Sequence, residues 1–132
     1  MVLVDTSIWI SHFREDNSHL KKLLIDESVA CHPFIIGELA CGNIKNRKEI
    51  ISLLQALPQT LVAESDEILA FIEHKRLMGV GIGLIDVHLL ASALLTNLPL
   101  WTADKRLHSV ASKFSILYKL SKRVQKKTCP QQ

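Results

Sequence analysis

Four carboxylates carry the chemistry that this sequence offers: Asp5, Glu38, Asp86 and Asp104. Asp5 directly follows the apolar run Val2-Leu3-Val4, and Asp104 comes just after Leu98-Pro99-Leu100-Trp101-Thr102. Both therefore stand past the end of a predicted strand, where open α/β sheets bind ligands. Asp86 opens a predicted helix after the glycine-rich stretch Gly79-Val80-Gly81-Ile82-Gly83. Glu38 interrupts a largely apolar helical segment between Gly37 and Leu39, and a buried carboxylate there needs a partner. Convergence on one divalent cation satisfies all four, because carboxylate oxygens are natural ligands of Mg²⁺ and Mn²⁺. Packed together without a cation, the same acids would raise one another's pKa. Singly, each has a plainer reading. Asp5 and Asp86 would be helix caps, Asp104 would cap the turn after its strand, and Glu38 would pair with a Lys or Arg.

Other chemistries fit less well. An aspartyl-phosphate enzyme wants a second Asp two residues after the first, and Ser7 stands there. A receiver domain needs paired acids at that strand end, and Asp5 has no acidic neighbour. The Gly79–Gly83 stretch follows a predicted helix rather than a strand and lacks dinucleotide-fingerprint spacing. It reads as a plain flexible loop or as a tight approach of backbone to the site. Neither a P-loop nor a nucleophile elbow is found. The three cysteines, Cys31, Cys41 and Cys129, form no C-x-x-C pair and read as two buried thiols and one in the tail. The six histidines lack zinc-motif spacing, so His88 reads as a helix-face residue.

The elements that must position the acids follow from periodicity and stop signals. Strands are predicted at 2–4, 29–31, 60–62, 98–102 and 115–117. Helices are predicted from Thr6 or Ser7 as cap to about 13, over 18–25, 34–41, 45–57 and 68–78, and from Asp86 to about Asn97, with a helical turn at 106–112. Strands alternating with helices imply a mainly parallel sheet.

A chain of 132 residues, 48% hydrophobic, suits one domain with an aliphatic core. The short apolar start meets Asp5 without a basic region before it, so no secretory signal is read. The uncharged run from Val87 to Ala103 contains His88, Thr96, Asn97 and Pro99, and reads as helix, turn and strand rather than a membrane span. A soluble, cytoplasmic protein is expected. The net charge is +3, from 16 basic and 13 acidic side chains. With four acids in one pocket, the remaining surface is distinctly basic, which suits a polyanionic substrate. The tail from Lys119 holds five basic residues and is expected to be frayed or disordered, giving a domain over 1–120 and a basic tail over 121–132.

At this point the residues look like a family. Val4-Asp5-Thr6-Ser7-Ile8-Trp9-Ile10, then Gly37-Glu38-Leu39 followed by Gly42, then Asp86 opening an Ala-rich helix, then Thr102-Ala103-Asp104 resemble the PIN-domain nucleases, in particular VapC-type toxins. The resemblance runs from residue 2 to about 118. It implies an α/β, PIN-like three-layer sandwich, with a mainly parallel sheet of four to five strands and helices on both faces. It also implies a Mg²⁺- or Mn²⁺-dependent endoribonuclease acting on tRNA or a ribosomal RNA loop. Asp5, Glu38, Asp86 and Asp104 match the family's metal-binding catalytic acids, and Ser7 and Thr102 its supporting polar positions. A homodimer and a small VapB-like antitoxin are implied partners. Asp86-Val87-His88 departs from the more usual small apolar residues after the Asp. For the RNA backbone the candidates are Lys105 and Arg106, with Lys45, Arg47 and Lys48 on a separate helix, or these are simply a solvated basic surface. Trp9 and Trp101 are expected in the core. A non-catalytic PIN-like RNA-binding or regulatory module is the alternative, and a pocket for a small phosphorylated metabolite is a third reading.

Overall fold

The computed structural model describes residues 1–120. The tail expected at 121–132 lies outside the described residues. In chain order the elements are β1 (Val2–Val4), α1 (Thr6–Arg14), α2 (Ser18–Ile25), β2 (Val29–Ala30), α3 (Pro33–Ala40) and α4 (Arg47–Ala56). These are followed by α5 (Ser65–Lys75), α6 (Leu84–Thr96), β3 (Leu100–Trp101) and α7 (Lys105–Lys113).

The three strands form one parallel sheet in the order β2-β1-β3. β1 is central, which explains why an uninterrupted Val-Leu-Val run serves: a strand covered on both faces has no polar side. Leu3 and Val4 are fully buried. Parallel neighbours need long crossovers, and the helices supply them: α1 and α2 between β1 and β2, then α3 to α6 between β2 and β3.

Of the four to five strands expected, two are reduced to single bridges at the sheet edges. Cys31 bridges Gln59, and Leu100 bridges Leu117, both in parallel sense. The predicted strand at 60–62 therefore contributes only at its very start, through Thr60 N donating to the Cys31 carbonyl at 2.8 Å. The predicted strand at 115–117 is likewise held by Leu100 N to Ile116 O and Tyr118 N to Leu100 O. Two helix starts also differ. The cap of α1 is Asp5 rather than Thr6 or Ser7. Helix α6 begins at Leu84, so Asp86 lies in its first turn rather than at its opening. The expected turn at 106–112 is a full nine-residue helix.

α6 is the central support of the site. Val87 to Ala93 are all buried, the signature of a helix surrounded by core. Leu89, Leu90, Leu100 and Leu107 are fully enclosed with Trp9 against them in the same cluster. Each such leucine contributes about 2 kcal/mol by leaving water. Trp9 and Trp101 are core residues. Cys31 is buried, and burial pushes its thiol up to about 11, so it stays protonated. Cys41 is exposed rather than buried, because it sits at the C-terminal cap of α3. Among the described residues, no helix is long and apolar enough to cross a membrane.

Candidate active site

The parallel register brings the ends of β1 and β3 side by side. Asp5 N donates to the Trp101 carbonyl at 2.9 Å, so the residues after both strands emerge together. Asp5 is 5% exposed, and its Oδ2 accepts from two hydroxyls: Ser7 Oγ at 2.8 Å and Thr102 Oγ1 at 2.7 Å. Those hydroxyls also accept, Ser7 Oγ from Ala103 N at 3.0 Å and Thr102 Oγ1 from Asp104 N at 3.0 Å. A hydroxyl has one proton, so with both protons on Asp5 the Ser7–Thr102 approach of 3.4 Å is a contact between two acceptors. The pattern fixes the Asp5 side chain through Oδ2, which is the acceptor for both hydroxyls. Although Asp5 occupies the cap position of α1, its side chain makes no cap bond there. The cap reading fails for this residue.

Asp104 does cap. It begins α7, and its Oδ1 accepts from Leu107 N at 3.0 Å. Asp86 reaches back within its own first turn, where Gly83 N donates to Oδ2 at 3.4 Å, a weak bond. Glu38 lies on the solvent side of α3, not facing the core. Its Oε1 accepts from Thr6 Oγ1 at 2.6 Å. The apolar surroundings of Glu38 in sequence suggested burial, but the helix turns its core stripe, Ile35 and Leu39, the other way.

Each of the four acids thus has one oxygen held by a neighbour. Among the described residues no hydrogen bond is made to the other oxygen of any of them. None pairs with a Lys or Arg; the ion pair among the described residues is Lys21–Asp16. The pairing reading for Glu38 is therefore excluded there. Asp86 registers the consequence. Burial first, then the charges of Asp5, Asp104 and Glu38, push its carboxyl up to about 6 against the weak pull of Gly83 N. Three helix N-termini, those of α1, α6 and α7, meet the acids Asp5, Asp86 and Asp104, and their positive ends offset part of the repulsion.

A hard divalent cation fits this donor set: all-oxygen, anionic, lacking a paired cation and mutually repelling. Asp5, Glu38, Asp86 and Asp104 would hold it. Among the described residues no three acidic, histidine or cysteine side chains are grouped closely enough as placed to hold a metal ion, so the four acids share one region without forming a ready-made cage.

The basic candidates divide. Lys45, Lys48 and Lys105 are exposed. Arg47 instead closes the C-terminus of α3, with Nε and Nη2 donating to Ala40 O at 3.2 and 3.0 Å. Arg106 docks on the glycine loop, its Nη1 3.4 Å from Gly81 O. Gly81 has φ +87, and a Cβ there would lie 2.6 Å from Arg106 Nη1. The close approach at Gly81 is to the Arg106 side chain, a neighbour that the sequence reading did not name. His88 is buried in α6 with His32 and Phe34 rings beside it, 6.3 and 4.6 Å between centroids. Sequence reasoning missed Thr6, read only as a possible cap. Its partner Glu38 is 32 residues away, and no local signal joins them.

Comparison with known proteins agrees with this geometry. The profile of the PIN domain matches residues 2–113. Ribonuclease VapC32 of Mycobacterium tuberculosis, from strains CDC 1551 / Oshkosh and ATCC 25618 / H37Rv, is 44% identical over 117 residues, 88% of this chain and 94% of the relative. Among solved structures, PAE2754 from Pyrobaculum aerophilum superposes with a TM-score of 0.59 over 82% of each chain, at 18% identity, a likeness of fold.

Proposed function

The chain belongs to the PIN-domain family, alongside the VapC ribonucleases, and on that premise we propose that it is a Mg²⁺- or Mn²⁺-dependent endoribonuclease acting as the toxin of a toxin–antitoxin pair. The observation that carries the proposal is the set of four carboxylates at the ends of β1 and β3 and on α3 and α6, each braced on one oxygen and none neutralised by a basic side chain among the described residues.

When bound, the ion supplies a water of lowered pKa and positive charge against the phosphorane-like transition state. The protein's part is positioning. Ser7 and Thr102 hold the Asp5 side chain in place through Oδ2, and Thr102 and Leu107 N fix Asp104 from two sides. Asp86, raised to about 6 by burial and by the neighbouring carboxylates, would be relieved by a neutralising cation. Attack by water leaves a 5′-phosphate and a 3′-hydroxyl. A 2′,3′-cyclic phosphate product would mean that the 2′-hydroxyl attacked instead. For the phosphates the candidates are Lys105, Lys45 and Lys48, which are exposed, while Arg106 and Arg47 must first leave their backbone carbonyls.

The substrate class proposed is tRNA or a ribosomal RNA loop, because specific RNA cleavage is read on unstacked bases. The partners proposed are a second copy of the chain and a VapB-like antitoxin. An open groove of about 730 Å³, lined by apolar residues such as Ile10, Phe13, Ile44 and Leu53 together with polar ones such as Lys45 and Asp16, supports the antitoxin reading. A cytoplasmic site of action follows from such targets.

The test compares wild type with Asp5→Asn, in cells and purified. Growth arrest and Mg²⁺- or Mn²⁺-dependent RNA cleavage by the wild type, abolished by the substitution and by EDTA, are expected. A folded wild type that neither binds the metals nor cuts cellular RNA would instead establish the non-catalytic module.

A further inference from the structure

Three of the four acids are held by their own neighbourhood: Asp5 by the two strand ends, Asp86 and Asp104 by backbone N–H groups of their own first turns. Glu38 has no such support. It has the longest side chain of the four, it is exposed, and α3 offers it no hydrogen bond. A glutamate in that setting samples several rotamers, and ordering it costs entropy each time it binds. What holds it is Thr6, whose hydroxyl crosses from α1 to donate to Oε1 at 2.6 Å.

Thr6 can do this because of its place in the helix. Inside a helix a threonine hydroxyl is drawn to the carbonyl one turn back. Thr6 is the first residue of α1, and the residue four before it, Val2, belongs to β1. The hydroxyl is left to reach outward. Asp5, Thr6 and Ser7 thereby form one segment that provides a carboxylate, braces a distant one and anchors Ala103.

We propose that Thr6 is a positioning residue, which pre-orients Glu38 so that all four carboxylates engage a divalent cation together. This rests on the metal-dependent reading above. Thr6→Val, which keeps the shape and removes the donor, should weaken Mn²⁺ binding roughly twofold to tenfold, the range expected for one long side chain ordered on binding. Thr6→Ser should restore most of it.

The measurement is a Mn²⁺ titration of the melting temperature of the RNA-free protein, with a parallel titration of cleavage. The expected result is a rightward shift of both curves for Thr6→Val, with cleavage recovering at high Mn²⁺ and no further shift when Thr6→Val is added to Glu38→Gln. Thr6→Ala serves the same test should the valine fail to fold. If the wild type responds to Mn²⁺ and Thr6→Val titrates identically, or still shifts in the Glu38→Gln background, the role of Thr6 is overturned and the nuclease reading stands. If the wild type does not respond at all, both fall.

Discussion

Asp86→Asn should make the metal-free protein more stable while abolishing its activity. The carboxyl of Asp86 is pushed from 3.8 to about 6 by burial and by three neighbouring carboxylates. Because its folded pKa lies above the unfolded value, the protonated form strengthens the fold at low pH. That advantage is lost as pH rises through about 6, leaving a strained carboxylate at neutrality. At about 1.4 kcal/mol per pH unit the full shift would correspond to roughly 3 kcal/mol. Asp86 is only partly buried, and solvent screening brings the expected gain to about 1–2 kcal/mol. An asparagine keeps the acceptor for Gly83 N and cannot ionise. In EDTA at neutral pH the variant should therefore melt roughly 3–8 °C above wild type, as expected for a domain of this size. Near pH 4 the two curves should converge, since Asp86 of the wild type is then protonated. Saturating Mn²⁺ should raise the wild type and leave the variant nearly unmoved. A variant that melts at or below wild type at neutral pH in EDTA would refute the reasoning. So would a difference of the same size at pH 4, because repulsion among ionised acids would then not be its source.

Three further outcomes are expected. Thr102→Val removes one donor from Asp5 and the acceptor of Asp104 N, so cleavage should fall roughly tenfold to a hundredfold, with about 1–2 kcal/mol lost in urea unfolding. Gly81→Ala meets both a φ of +87 and the Arg106 guanidinium, and should cost about 1–2 kcal/mol. Adding Arg106→Ala should recover part of that cost in a double-mutant cycle, and full additivity would show that the contact is irrelevant. His32, fully enclosed at the cap of α3, is lowered to about 4 by burial and by the nearby His88. Its folded pKa lies below the unfolded one, so the stability it confers is present above about pH 6.5 and declines towards pH 4, by at most about 3 kcal/mol. His32→Asn keeps a cap acceptor for Phe34 N and should flatten that acid limb in pH-dependent melting, and an unchanged slope would place the acid sensitivity elsewhere.

Much of the arrangement is written locally. Val2-Leu3-Val4 can only be a buried strand, and an acid next after it must stand at a strand end, whatever the rest of the chain does. The same holds for Asp104 after Leu100-Trp101, and parallel pairing then makes Asp5 and Asp104 neighbours. α2 appears over the very residues its periodicity predicts. The α/β class and the strand-end placement of Asp5 and Asp104 were therefore legible in one sequence, with Ser7 and Thr102 added as candidates by family resemblance.

What the residues alone did not reveal depends on how elements lie against one another. The direction of Glu38 follows from which stripe of α3 meets the core, and a short helix that is apolar nearly all round does not announce its outer face. Thr6 meets Glu38, and Arg106 meets Gly81, across 32 and 25 residues of chain, so neither contact has a spacing to read. The edge strands shrank to bridges at Gln59 and Leu117 because an edge segment has one pairing neighbour, and the length of that neighbour, not its own composition, sets how far the ladder runs. Hydrogen-bond geometry within a turn or strand end is a property of a few consecutive residues. The bracing of one distant side chain by another is settled only when packing brings their helices together.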